Sequence, residues 1–373
     1  MRSTLPGVWL IAAIAATGLS AQAQENHLTI AASLPLSGAQ AEAGKEGQAI
    51  MQAQIEALNR QGGLGGRALT LKILDDGYDP QRAASNARQL IHEGAVALLN
   101  CWGTASCSAI QAELQQGQTP LVGVIAGAGS MRQQPGRYAY PLRASAQAEI
   151  AAMLQQMQTL GQQQIAIVHQ NDGFGKDSLQ IALSALAGAG HKPLATLAIE
   201  ASGSNAPELA KQLAALPGLQ AVIVLAGAPA TIGLITRARQ AQVGTQFYNL
   251  AAQASRAVVQ GLGAHTRGTV FTTLVPSPWK SAVPAVKDYQ QLLTQSGMPP
   301  ASYLGLEVFL NTRTLLEAMR KAGPAASRIG LMAALDAMGE IRYGAMSLRF
   351  AMPRAGSSYV GLAVIDAGGH FRE

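Results

Sequence analysis

Short apolar runs alternate along this chain with stretches whose apolar residues return every third or fourth position. Residues 28–36 (LTIAASLPL) read as a strand, Ser37-Gly38 as the turn after it, and Met51, Ile55 and Leu58 mark one face of a helix over 41–59. Gly62-Gly63 stops that helix, Gly65-Gly66 turns the chain, and residues 68–74 read as a second strand. Asp79-Pro80 is a helix start, since Asp accepts from free backbone amides and Pro fits the first helical position. That helix runs to about His92, turns Ala83, Ala87, Leu90 and Ile91 inward, and ends at Gly94. Residues 95–99 then form a continuous apolar run, as expected of a strand buried on both faces of a parallel sheet. A helix carrying Ile110 and Leu114 follows, then an apolar strand over 119–125.

Tyr140-Pro141-Leu142-Arg143 reads as a crossing, and the alternation restarts beyond it. Ile150, Met153, Leu154 and Met157 mark a helix stopped at Gly161, and residues 165–168 a strand. Helices around 179–186, 207–216 and 232–241 are interleaved with strands at 194–199, 221–225, 247–250 and 270–274. After Pro276-Ser277-Pro278 the spacing turns helical over 283–293, 303–319 and 329–338, before two short strands at 345–350 and 359–365. The expected fold class is α/β, with two similar doubly wound halves.

Composition narrows the function. The 373 residues are 48% hydrophobic, 5% aromatic and 13% charged, which describes a globular protein packed with small residues. The formal charge of +6 comes from scattered basic residues with no interleaved aromatics, so no nucleic-acid partner is expected. Arg2, the apolar run 8–19 and Ala21-Gln22-Ala23 have the form of a cleaved export signal, residues 1–23. The mature protein is therefore expected in the periplasm. In that oxidising compartment Cys101 and Cys107, six apart, either pair or stay as two buried thiols; the sequence leaves both readings open.

In open α/β sheets, ligands sit at the carboxyl ends of the strands, where a following helix presents free N–H groups. The loop over 100–106, with Trp102, Gly103 and Thr104, is the first candidate binding surface, and residues 126–130 (AGAGS), after the next strand, the second.

Residues 55–91 (IEALNRQGGLGGRALTLKILDDGYDPQRAASNARQLI), together with SLPLSGAQAEAG at 33–44 and IAIVHQNDGFGKD at 165–177, resemble the exported leucine/isoleucine/valine-binding proteins. These are type I solute-binding subunits of ABC importers. The resemblance covers nearly the whole mature chain. It implies two doubly wound lobes joined by three crossing strands, lobe 1 from 24–142 and 275–350 and lobe 2 from 143–274 and 351–373. A small ligand would lie between them and a permease and ATPase complex in the inner membrane would receive it. It further implies a monomer, no cofactor and no catalysis.

The pocket departs from the family's pattern. Where members binding α-amino acids place hydroxyl and amide donors for the carboxylate, this chain reads Trp102-Gly103-Thr104 and Ala126-Gly127-Ala128-Gly129. Phe174 stands where Tyr is common. The acid that meets the ammonium falls near Ala251 or Ala252, with no carboxylate nearby, and the usual partner position of Cys101 lies close to Tyr78. An ammonium taken from water without a counter-charge costs several kcal/mol. The expected ligand is thus an apolar or aromatic carboxylate. Trp102 and Phe174 clamp it from opposite lobes, and Thr104 with the N–H groups around Ala128 to Ser130 takes its polar end; Gly103, Ala126 and Gly127 are candidate contacts beside them. Gln253 is a further candidate contact.

Other chemistries lack their residues. Gly173-Phe174-Gly175-Lys176 has Asp177 where a phosphate loop needs a hydroxyl, and the six histidines share no metal-ligand spacing. Asp75 and Asp76 are adjacent and point to opposite faces of a strand, and no GxSxG or HExxH occurs. The second functional reading is a periplasmic sensor that presents its ligand to a membrane receptor.

Overall fold

The computed structural model describes residues 27–127, 136–323, 326–350, 356–366 and 368–373. The expected leader, residues 1–23, lies outside them, as do Ala128, Gly129 and Ser130.

The first half alternates β1 (His27–Leu34), α1 (Ala41–Arg60), β2 (Ala68–Asp75), α2 (Pro80–His92), β3 (Ala97–Trp102), α3 (Thr104–Gly117), β4 (Leu121–Ile125) and β5 (Ala139–Tyr140). The strands pair in parallel in the order β2-β1-β3-β4-β5. Every residue of β3 and β4 is buried, as their continuous apolar runs require. Asp79 caps α2 by accepting from the Arg82 amide at 2.7 Å.

The second half follows with α4 (Ala146–Thr159), β6 (Ile165–Gln170), α5 (Gly173–Gly188), β7 (Ala195–Ile199), α6 (Ala206–Ala215), β8 (Ala221–Leu225), α7 (Ala228–Gln240), β9 (Gln246–Asn249), α8 (Arg256–Leu262) and β10 (Thr269–Thr273). The chain then returns to the first half with α9 (Pro284–Gln295), α10 (Tyr303–Ala322), α11 (Arg328–Asp336) and an antiparallel hairpin of β11 (Glu340–Tyr343) and β12 (Met346–Arg349). It ends in the second half with β13 (Gly361–Ile365) and β14 (Phe371–Arg372), which run antiparallel at one edge of the sheet β14-β13-β10-β9-β8-β6-β7.

Two of the passages between halves touch. The Ser357 amide donates to the Leu142 carbonyl at 2.8 Å, and Tyr140 meets Phe350 edge to face at 5.3 Å. Beside them Arg143 makes a bidentate pair with Glu307 of α10, both contacts 2.7 Å, with the two side chains 2% and 7% exposed.

A reversal inside β3 decides what the strand end presents. Asn100 has φ 58 and its neighbour in β4, Gly123, has φ 83, so both strands kink at one level and regain register as Cys101 meets Val124. Period-two alternation breaks there. Cys101 therefore shares a face with Leu98, toward α2 and α3, and Trp102 shares one with Leu99.

Asp75 organises the turn after β1. Its carboxylate accepts from the Leu36 amide (2.8 Å), the Ser37 amide (3.1 Å), the Ser37 hydroxyl (2.6 Å) and the Gly77 amide (2.8 Å). These donors, the Ser37 hydroxyl first, hold its pKa down at about 2 from 3.8. A depressed carboxylate adds stability above its unfolded pKa, and that stability is lost as pH falls through the folded value. Asp75→Asn is therefore expected to lower the urea midpoint at neutral pH, with the gap to wild type closing as pH falls from about 4 to about 2.

Candidate functional site

The strand ends of the two halves meet along one seam. Gly127, just past β4, comes so near Phe174 of α5 that a Cβ on it would lie 3.8 Å from the ring. A Cβ on Gly227, after β8, would lie 3.8 Å from the Gln40 side chain. Arg256 of α8 reaches Glu46 of α1 at 3.4 Å.

The first-half wall is the start of α3. Gly103 (φ 78) precedes it and supplies no side-chain cap, so the first amides of the helix have no acceptor within it. The helix dipole adds partial positive charge at the same place. Thr104, the first helical residue, has a buried hydroxyl with no hydrogen-bond partner. Cys107, one turn on, is joined to Cys101 in a disulfide with Cα atoms 5.4 Å apart, which staples the strand end to the helix start. The reversal at Asn100 is what turns Cys101 toward that helix.

Tyr78 lies over this wall. It is a non-glycine residue at φ 65, held by its amide donating to Asp76 at 2.8 Å, and it remains 42% exposed. Its hydroxyl lies 2.6 Å from where a Cβ on Gly103 would be, so only glycine fits beneath it. Burial of the hydroxyl raises its phenol pKa first, and the negative charges of Asp172 and Asp76 raise it further. An aromatic residue in a left-handed conformation just past a strand end is strained backbone, kept here where the two halves meet. The sequence reading placed Tyr78 only at a lost disulfide position. The available signal was one aromatic between Gly77 and the Asp79 cap, directly after a strand.

The second-half wall is the start of α5, and this helix start carries a side-chain cap. Asp172 caps it, accepting from the Gly175 amide at 2.9 Å and from the Gln170 side chain at 2.5 Å. Gln170 in turn accepts from the Gly227 amide at 2.9 Å. Phe174 occupies the first turn of this helix rather than a loop, and is half-buried. Of the two helix starts, α3 alone lacks a side-chain cap, while α5 carries the carboxylate of Asp172.

Two expectations need correction. Trp102 does not face the seam: it is 6% exposed, and a Cβ on Gly47 of α1 would lie 2.9 Å from its indole, with Val308 of α10 beside it. The reversal at Asn100 aims it into the first half's core, and Tyr78 supplies the aromatic surface instead. Secondly, a carboxylate does lie at Ala251. Glu149, 1% exposed, accepts from the Ala251 amide at 2.8 Å and from the Thr272 hydroxyl. It comes from α4, too distant in sequence to be associated with that turn.

Gly103, Thr104, Gly127 and Phe174 are thus brought together at the seam. Ala126 is buried in the first half's core, and Gln253 is buried in the short turn Ala251–Gln253 after β9. Ala128 and Ser130 lie outside the described residues. Among the described residues no group of three or more His, Cys, Asp or Glu could hold a metal ion.

Residues 27–356 match the sequence model of a family described as periplasmic binding protein. Among solved structures, an extracellular ligand-binding receptor from Verminephrobacter eiseniae superposes with a TM-score of 0.86 at 24% identity, covering 93% of this chain and 100% of that one. A possible leucine/isoleucine/valine-binding protein from Rhodopirellula baltica gives 0.82 at 26% identity, covering 92% and 95%. A fatty acid ABC transporter substrate-binding protein from Thermomonospora curvata gives 0.78 at 18% identity, covering 92% and 89%. No curated protein matches the chain by sequence.

Proposed function

The chain belongs to the periplasmic binding protein family, and from that premise we propose that it is the exported solute-binding subunit of an ABC importer of the branched-chain amino-acid type. In this reading, residues 24–142 and 275–350 form one lobe and 143–274 and 351–373 the other. The monomer closes over its ligand and presents the closed form to a membrane permease. The ligand is a small acid with an apolar or aromatic body and no ammonium group.

The observation that carries this reading is the pairing of an open helix start with an orphaned hydroxyl. The uncapped first turn of α3 and the unpartnered Thr104 hydroxyl together offer donors and positive potential to one carboxylate. Tyr78 and Phe174 give the body two aromatic walls from opposite halves. The neighbouring carboxylates already have partners within the protein. Asp172 is committed to Gly175 and Gln170, and Glu149 to Ala251 and Thr272. A fold that serves a fatty acid transporter in Thermomonospora curvata is compatible with a ligand of this class.

Mass spectrometry of small molecules released from protein purified under native conditions tests the reading. A monocarboxylic acid is expected in the extract. An α-amino acid released in stoichiometric amount overturns the ligand class.

A further inference from the structure

A concavity lies beside the passage that follows β10, lined by none of Tyr78, Gly103, Thr104, Gly127 and Phe174. Its volume is about 790 Å³, within the range of ordinary small-molecule sites. Walls come from both halves: Arg256 of α8 and Phe371 of β14 on one side, and Ser302, just before α10, on the other. Trp279 and Lys280, in the segment after β10, close it.

Its apolar surface is a fixed aromatic stack. Trp279 lies nearly parallel to Phe371, centroids 5.7 Å apart and planes 22° apart, and Tyr303 stands edge-on to both at 5.3 and 5.2 Å. The Tyr303 hydroxyl donates to Glu373 at 2.8 Å, which holds the ring in place. Trp279 nevertheless stays 44% exposed, a large aromatic surface offered to whatever fills the space. Arg256, Lys280 and Arg372 line the cavity, each in an ion pair: Lys280 pairs with Glu373 of the same lining, while Arg256 and Arg372 pair with Glu46 and Asp366, which lie outside it.

We propose that this cavity is a second binding site, separate from the seam site, for a planar aromatic anion that stacks on Trp279 with its charge toward the guanidiniums of Arg256 and Arg372. Because both halves supply its walls, separating them dismantles it. Occupancy therefore favours the closed relation of the halves and raises affinity at the seam, and the coupling is reciprocal.

The test uses the full mature chain and the fluorescent probe 1-anilinonaphthalene-8-sulfonate, with its uncharged relative N-phenyl-1-naphthylamine for comparison. The sulfonate is expected to bind saturably, with energy transfer from Trp279. Trp279→Ala and Arg256→Gln should each weaken it by about tenfold or more, because both the stack and the charge are used. Thr104→Val should leave it unchanged, and the uncharged probe should bind about tenfold more weakly. Equal binding of the two probes overturns the proposal, and so does sulfonate binding that survives Trp279→Ala or is lost in Thr104→Val. Should Trp279→Ala fail to fold, energy transfer in the wild-type chain decides: its absence at saturation places the probe elsewhere. A failure here leaves the seam site standing, because Thr104→Val reports on the seam alone.

Discussion

Glu307→Ala is expected to destabilise the protein by about 3–5 kcal/mol, the usual cost of leaving one member of a buried ion pair without its partner. Arg143 and Glu307 are 2% and 7% exposed, and their bidentate contact locks the first passage between the halves onto α10. Removing the carboxylate leaves a guanidinium in a site that water cannot reach. The double variant Arg143→Met/Glu307→Leu replaces charge with apolar volume and should recover most of the loss. Urea denaturation of the three proteins measures both effects. Equal midpoints for wild type and Glu307→Ala would show that the pair does not hold the passage.

Thr104→Val should separate binding from stability. The hydroxyl is buried without a partner, so an isosteric methyl group should leave stability unchanged or raise it slightly. Ligand affinity should fall, because a hydrogen bond to a charged group contributes about 1.5–3 kcal/mol, on the order of ten- to a hundredfold in Kd. Thr104→Ser keeps the donor and should keep most of the affinity. A residue that costs the folded chain a little while serving the ligand is the pattern expected of a binding group. Melting curves and calorimetry on the same preparations read the two effects separately.

The repeating strand–helix order was legible because each element in a parallel sheet needs a long apolar run or a full helical face. Asp79-Pro80 marked its helix to the residue, and Gly62-Gly63 and Gly94 marked two helix ends. Elements held by tertiary contacts were less visible. The helix Arg256–Leu262 spans only seven residues, and the strands Glu340–Tyr343 and Phe371–Arg372 are too short for a clear alternation. Helix α5 begins at Gly173, ahead of its first regularly spaced apolar residue, because Asp172 caps it.

The site was legible by position and misread by direction. The strand ends at Trp102 and Ile125 pointed to the loops that carry Gly103, Thr104 and Gly127, which lie at the seam. The orientation of Trp102 depends on one left-handed residue, Asn100, and a period-two reading has no means of seeing that kink. Tyr78 reaches the seam, and Glu149 the Ala251 turn, from distant segments, and only the folded packing brings them there.

The central claim is that the seam recognises a carboxylate on the start of α3, its neighbouring carboxylates Asp172 and Glu149 being already hydrogen-bonded within the protein. Titration calorimetry of ligand-stripped protein with phenylacetate and hexanoate, set against leucine, tests it most directly. The account predicts heat from at least one of the acids and none from leucine. Tight leucine binding, with silence from the acids, would contradict it.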